Sequence, residues 1–356
     1  SLYAVTVRLR DAMSQLPAYV AGRKAPGAIV LASNESPYGL LPAVAATIDG
    51  ITAGVSRYPD MSATALVEAI ATHHDVAPEQ VAVGAGSVEV VGQIAAALVD
   101  RGDEVIYGWR AFEAYPIITT VAGGTSVQVP LRDHVHDLDA MAAAVTSRTK
   151  LVIVCNPNNP TGTAVGSELA GFVDSIPDDV LVVVDEAYHH YTDPALIPDA
   201  LVTFRDRPNV VVTRTFSKAF ALAGLRVGYC IGAPEVVQAV RKTQIPFSVS
   251  GLAQQCAIAA LGDEAVVRRR AVMTVGERER VTAVLRDAGY DVPASQANFV
   301  WLPIGEAAAR FAQHCADSGV LVRPFAGDGV RVTTGLPEEN DSFLALAQSW
   351  AAAHSA

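Results

Sequence analysis

Lys218 sits in the run TFSK at 215–218, behind a β-branched stretch and ahead of small residues, with Arg226 eight positions on. A lysine held in a partly desolvated pocket has a lowered pKa and can act as a nucleophile. The hydroxyls of Thr215 and Ser217 and the Arg226 cation suit a bound phosphate. Asp185 ends the apolar run VLVVV. A carboxylate there is buried on most sides and needs a cationic partner, for which a protonated pyridine nitrogen would serve. Tyr188, three residues on, is then placed to hydrogen-bond an oxygen of the same ring. Taken singly these residues have plainer readings, a surface lysine after a strand and a helix-capping aspartate.

Two further turns belong with them. GAGS at 84–87 precedes a helical stretch, and the free amides of Ala85, Gly86 and Ser87 at a helix N-terminus would form a phosphate cradle. NPNNPTG at 156–162 offers Asn159 as a second donor to the ring oxygen, in a turn stiffened by Pro157 and Pro160.

The elements that must position these turns are strands. Continuous β-branched runs at 151–155, 180–184 and 210–213 suit strands covered on both faces, as in a parallel sheet between helix layers. Further strands are expected at 80–83, 104–107, 126–129 and 227–231, with helices at 63–74 and 88–99. Ligands of open α/β sheets bind beyond the carboxyl ends of the strands, where these turns lie. The alternation ends near residue 235. A long helical region at 251–288 follows, then short strands at 299–302, 320–322 and 329–333 and a helix at 343–354. The organisation expected is an N-terminal arm (1–26, with Pro17 and Pro26), a large α/β domain (27–247) and a smaller α+β domain (248–356) against which the arm packs.

The bulk composition agrees. The 356 residues are 51% apolar, enough for a substantial core, and the net charge is -11 without a basic block, which argues against nucleic acid as a partner. Cys155, Cys230, Cys256 and Cys315 are widely spaced and read as small core residues, so neither a metal site nor a disulfide frame is expected. No apolar stretch is long enough to cross a membrane and no signal peptide is evident, so a cytoplasmic protein is expected. No G-x-G-x-x-G follows the first strand, which excludes a plain dinucleotide-binding enzyme.

The ordered set of motifs resembles the fold-type I aminotransferases dependent on pyridoxal 5'-phosphate, and within them the histidinol-phosphate aminotransferase family. The resemblance rests on N-P-x-N-P-T-G at 156–162, D-E-A-Y at 185–188 and S-K-A-F-x-L-A-G-L-R at 217–226. It implies an α/β fold with a large, mostly parallel sheet. Lys218 matches the Schiff-base lysine and Arg226 the phosphate arginine. Phe112 in WRAFEAY matches the aromatic residue stacked on the cofactor ring. Tyr58 in RYPD matches the tyrosine that reaches the other subunit's phosphate site, implying a homodimer. Asn34 and Arg331 match the clamp on the substrate α-carboxylate, and Tyr19 and Arg323 the side-chain end of the pocket. Gly86 and Ser87 stand where the family often has an acidic pair. Together with AFEAY and the segment 295–301, they look closer to an actinobacterial aromatic-amino-acid branch. The resemblance therefore implies transamination between an aromatic amino acid, phenylalanine above all, and a 2-oxo acid such as 2-oxoglutarate. The alternative is histidinol phosphate as donor. Arg323 counts against an apolar pocket, unless it is a relic of common ancestry or pairs with an acidic neighbour such as Glu35 or Asp328.

Overall fold

The protein, as a computed structural model, is described over residues 7–16, 18–19, 22, 25–51 and 55–354. In chain order its strands are β1 (Ile29–Leu31), β2 (Val81–Gly84), β3 (Glu104–Trp109), β4 (Thr125–Pro130), β5 (Thr149–Cys155), β6 (Leu181–Asp185), β7 (Val210–Thr215), β8 (Gly228–Ile231), β9 (Phe299–Leu302), β10 (Val320–Phe325) and β11 (Gly329–Thr333). Seven of them form one sheet in the order β2-β8-β7-β6-β5-β3-β4. Strand β8 runs antiparallel to β2 and β7, and the other neighbouring pairs are parallel.

The valine-rich runs account for the middle of this sheet. Side chains alternate between its faces. Val152, Val154, Val182, Val184, Val210 and Val212 pack into one helix layer. Leu151, Ile153, Leu181, Val183 and Val211 pack into the other. With both faces covered, a polar side chain is tolerated only at the strand ends, and there the chemistry sits. In register, Asp185 lies opposite Thr213. The odd-numbered positions Asp185, Thr213 and Thr215 thus fall on one side of the sheet, and the even-numbered Arg214 falls on the other.

A second, four-stranded sheet has the order β1-β10-β11-β9. Strand β1 pairs parallel with β10 through Ile29 and Val320, so a segment expected to open the large domain lends an edge strand to the small one. The helical region expected at 251–288 is two helices, Gly251–Gly262 and Glu264–Asp287. They break at Asp263, whose carboxylate accepts the Ala43 N–H at 2.8 Å. The last helix starts at Pro337 rather than at 343. Proline suits a first helical position, and Glu339 accepts the N–H of the preceding Leu336 at 2.7 Å.

The arm departs from expectation. Pro17 lies outside the described residues. The described part holds a short helix, Asp11–Gln15, and Arg10 donates to the carbonyls of Thr120 and Val121, 3.1 Å each, at the end of the helix Ala114–Ala122. A cation on those carbonyls complements the helix dipole. This anchor is on the large sheet's helix layer, while further along the arm Gly22 packs against Ala32 and Ser33, which follow the small sheet's strand β1.

Candidate active site

A cavity of about 280 Å³ opens beyond the carboxyl ends of β5, β6 and β7, where they face the small sheet. It gathers Tyr19, Asn34, Ser87, Phe112, Asn159, Asp185, Tyr188, Thr215, Ser217, Lys218, Arg226, Arg323 and Arg331. Of the residues expected at a site, Ala85, Gly86 and Tyr58 are not in its wall.

Lys218 Nζ donates to the Ser33 carbonyl at 3.2 Å. Desolvation pulls its pKa down to about 7; the Arg331 charge adds to this, Glu35 opposes it and Arg226 adds a little more. Its amine is therefore a nucleophile near neutral pH. Asp185 is 4% exposed. Its carboxylate accepts from the Tyr115 hydroxyl at 2.7 Å and from Thr213 at 3.1 Å. Burial raises its pKa above the usual carboxylate range although both hydrogen bonds pull it down. No cation pairs with it among the described residues.

Tyr188 is buried, which pushes its phenol upward, against the pull of Arg331 and of the Asn34 hydrogen bond. Asn34 donates to the Tyr188 hydroxyl oxygen at 2.9 Å, and its carbonyl oxygen accepts from Thr333. Asn159 gives its side-chain oxygen to Arg331 at 2.5 Å, which leaves its NH2 group as the donor. Phe112 meets Tyr115 and Tyr19 edge-on, at centroid separations of 5.6 and 6.4 Å.

The phosphate end needs one revision. The Ala85 N–H is taken by the Glu89 carboxylate at 3.1 Å, and the Gly86 N–H by the Gly84 carbonyl at 2.8 Å. Glu89 lies in the first turn of the helix Ser87–Leu98 and reaches back over the entering loop. The expected three-amide cradle is thus reduced to the Ser87 end of that helix. Ala85 supplies its carbonyl instead, to Arg226 at 3.3 Å, while Arg226 also donates to Ser217 at 3.2 Å and to the Ala223 carbonyl. No carboxylate pairs with Arg226 among the described residues. Gly86 has a φ of 88°, and a Cβ there would collide with the Arg226 guanidinium. That accounts for a glycine where an acidic residue was the alternative.

At the opposite end, Arg331 is 8% exposed and donates to Asn159 and to the Ala32 carbonyl at 2.7 Å. Its Nε is buried with no partner, and desolvation lowers its pKa. Arg323 pairs with Glu113 at 2.8 Å, and Asp328, one of the partners expected for it, is bound to Arg110. Tyr58 is on the surface, 83% exposed, and stacks on Phe247 at 4.7 Å.

Four residues that do work here were given no role from the sequence, although Glu113 and Tyr115 lie inside the AFEAY segment. Thr213 was within reach of inference, because it lies two positions before Thr215 on one strand and so shares its face. Tyr115, Glu113 and Phe325 were not, since their neighbours come from distant parts of the chain.

The residues present fit pyridoxal 5'-phosphate. There is an amine of low pKa for its aldehyde, a buried carboxylate without a cation for its ring nitrogen, an aromatic wall, and an uncompensated arginine beside a helix N-terminus for its phosphate. Fold and site together define a pyridoxal-phosphate-dependent enzyme of fold type I. The comparisons give the family: residues 26–345 match aminotransferase class I and II, and the chain belongs to it. It is similar to the aromatic amino acid aminotransferase of Thermobifida fusca, 52% identical over 96% of this chain and 97% of that one. It is equally similar, at 52% identity over 96% and 99%, to the enzyme of that name from Mycobacteroides abscessus. Among solved structures, the histidinol-phosphate aminotransferase of Sinorhizobium meliloti, crystallised with pyridoxal-5'-phosphate, superposes with a TM-score of 0.89 at 29% identity over 99% of this chain and all of that one. Aspartate aminotransferase from Thermus thermophilus with maleate superposes at 0.79, 26% identical over 91% of each chain.

Proposed function

We propose that this aminotransferase moves the amino group between an aromatic amino acid, phenylalanine above all, and a 2-oxo acid such as 2-oxoglutarate, by a ping-pong cycle. The observation that carries this reading is Arg331. It is a buried guanidinium with an unsatisfied N–H and no carboxylate partner among the described residues, beside a wall of Tyr19, Phe112 and Phe325. A monocarboxylate bearing an aromatic side chain satisfies the arginine and buries its ring on that wall. The 52% identity to enzymes named for aromatic amino acids supports the same reading.

When bound, pyridoxal 5'-phosphate supplies an aldehyde that exchanges for the amino group and a ring that withdraws the electron pair left at the substrate Cα. Lys218 would hold that aldehyde, and its freed Nζ would take the substrate α-proton as base and return it as acid. Asp185 would keep the ring nitrogen protonated. Tyr188 and the Asn159 NH2 would donate to the ring oxygen, and Phe112 would cover the ring face. Arg226, Ser217, Thr215 and Ser87 would hold the phosphate. Arg331, with Asn34, orients the α-carboxylate and thereby the Cα–H bond.

We further infer a homodimer in which Tyr58 completes the partner's phosphate site. Tyr58 and Phe247 form an exposed aromatic pair, with Met61 and Ile245 exposed close by in sequence, and an apolar surface of this kind calls for a cover. The four free, buried cysteines fit a reducing compartment, the cytoplasm. Among the described residues no helix is long and apolar enough to cross a membrane. We also divide the chain into the arm (1–26), the cofactor-binding domain (27–247) and the small domain (248–356), with β1 lent to the last.

The second reading, histidinol phosphate as donor, draws on Arg323 and on the likeness to the Sinorhizobium enzyme. Half-reactions with phenylalanine, tyrosine, tryptophan and histidinol phosphate decide between them. Phenylalanine should exceed histidinol phosphate in kcat/KM by at least about tenfold, worth about 1.4 kcal/mol of transition-state binding. A tenfold preference the other way overturns the aromatic reading.

A further inference from the structure

Glu89 stands in the first turn of the helix Ser87–Leu98, next to Ser87 and Val88, which line the cavity. Its carboxylate accepts from the Ala85 N–H at 3.1 Å, from the Gln93 side-chain amide at 2.8 Å and from the Ser248 hydroxyl at 2.8 Å. All of these donors are neutral, and no cation pairs with Glu89 among the described residues. A neutral acceptor would serve the same contacts, so the local structure does not call for a charge. The charge falls where it matters for a ligand. Ala85 gives its N–H to Glu89 and its carbonyl to Arg226 at 3.3 Å, so a single residue bridges the anion and the cation that is left open for a phosphate. A helix N-terminus attracts anions through its free amides and its dipole. Glu89 takes one amide and sets its own negative charge against that field.

We propose that Glu89 is a positioning residue that keeps the hold on the cofactor phosphate loose enough for the cofactor to exchange. The proposal rests on the reading of this end of the cavity as the phosphate site and deepens it. A phosphate brings negative charge to a helix end that already carries a carboxylate, and in a partly desolvated site like charges repel more strongly than in water. The consequence falls on one half of the cycle. Lys218 would hold the aldehyde form covalently, which masks the weakness there. It has no aldehyde to hold once the cofactor carries the amino group, and the strength of the phosphate contacts then decides whether the cofactor stays.

The test is equilibrium titration of the cofactor-free full chain with pyridoxal 5'-phosphate, pyridoxamine 5'-phosphate and pyridoxal, which lacks the phosphate. Glu89→Gln keeps the acceptor for Ala85 and removes the charge. Its new amide also has a partner at hand, since the Gln93 Oε1 is buried and unpaired. Glu89→Gln should lower the Kd of both phosphorylated forms by about fivefold or more and leave that of pyridoxal within about twofold. A merely structural role for Glu89 would move all three together. An unchanged or weaker hold on the phosphorylated forms, or a shift shared by pyridoxal, overturns the proposal. Ser248→Ala removes one partner of Glu89 and keeps the charge, so it should not tighten the phosphorylated forms. Equal tightening there would make the tether to Ser248 the cause and overturn the proposal as well. Should Glu89→Gln not fold, Glu89→Ala is read by the same criterion, because it also removes the charge and frees the Ala85 amide. If the unmodified chain holds pyridoxal as tightly as pyridoxal 5'-phosphate, the reading of this end as a phosphate site fails instead.

Discussion

Asp185 and Glu186 are consecutive carboxylates at the end of one strand, both buried to 4% exposure, and they meet opposite surroundings. Glu186 accepts two hydrogen bonds from Arg214, at 3.0 and 2.7 Å, and one from the Ala200 N–H, while Arg214 also holds Asp199 at 2.7 Å. Burial works against the Arg214 cation, but the two carboxylates more than offset it and its pKa lies above the ordinary arginine value. Asp185 has a phenol, a threonine hydroxyl and, among the described residues, no cation. The pattern repeats among the arginines: Arg214 has two carboxylates, Arg331 and Arg226 none among the described residues. A buried charge left open on one side of the sheet, beside one closed on the other, marks where a charged ligand enters. Cavity size alone would mislead. A larger space of about 1010 Å³ lies on the Arg214 side, lined in part by His73, His74, His189 and His190. Burial lowers the pKa of all four, and the Arg214 charge pushes the same way.

The largest expected effect is on the open side. Lys218→Ala should lose turnover by about 10⁴-fold or more, since it removes both the covalent anchor and the proton carrier. Borohydride reduction of the unmodified enzyme followed by peptide mapping should find the cofactor on Lys218. Label on any other lysine breaks the assignment.

Next comes the pair itself. Asp185→Asn should lower kcat by about a thousandfold, because an amide cannot keep the ring nitrogen protonated. Glu186→Gln should instead leave turnover near normal and cost about 3 kcal/mol of stability by stranding part of the Arg214 charge. Steady-state kinetics and thermal unfolding of both variants check this. Stability without cofactor sharpens the contrast. The folded chain holds the Asp185 proton more tightly than the unfolded chain does, because burial raises that pKa. Its contribution to stability therefore falls as pH climbs from the ordinary carboxylate range through the raised value. Cofactor-free Asp185→Asn should be more stable than its parent at neutral pH, and the advantage should fade in acid. If the two variants share one phenotype, the distinction between open and closed charges is lost.

The sequence made the large sheet legible because its central strands are buried on both faces, and unbroken runs such as VLVVV have no competing helical reading at that length. The turns after them were legible for the same reason, since each begins where a run ends. The division of labour between Asp185 and Glu186 was not, because it is set by which face each reaches and by Arg214 and Tyr115, distant in the chain. The cradle was overread. A glycine-rich turn before a helix promises free amides, but Glu89 spends one of them locally. The Arg323 partner was missed because Glu113 is 210 residues away and offers no periodic clue. Strand β1 was missed at three residues, too short for alternation to register.

A smaller effect should appear in pH dependence. With the Lys218 pKa at about 7, the neutral amine that attacks the cofactor aldehyde falls about tenfold for each pH unit below 7 and levels off above it. The rate at which cofactor-free protein regains its visible absorbance on adding pyridoxal 5'-phosphate should follow that curve. The Arg331 charge is the second cause of the shift, so Arg331→Gln should move the inflection upward. An inflection that ignores Arg331 would mean that Lys218 does not set it.

The smallest effect belongs to Tyr58, and it asks whether the open side is completed by a second chain. On its own chain Tyr58 touches Phe247 and is otherwise solvated, so Tyr58→Phe should not alter folding. If its hydroxyl reaches the partner's bound phosphate, losing one hydrogen bond there costs about 1 kcal/mol, a roughly fivefold weaker hold on the cofactor. Equilibrium titration of the cofactor-free variant measures it. Mixing then separates sharing from a local effect. A dimer of one Lys218→Ala chain and one Tyr58→Phe chain has one site with both defects and one with neither. At limiting cofactor the mixture should exceed the summed activities of its parents, because the intact site draws Lys218 from one chain and Tyr58 from the other. If Tyr58 acted within its own chain, each site would carry one defect and the gain would be absent despite proven subunit exchange.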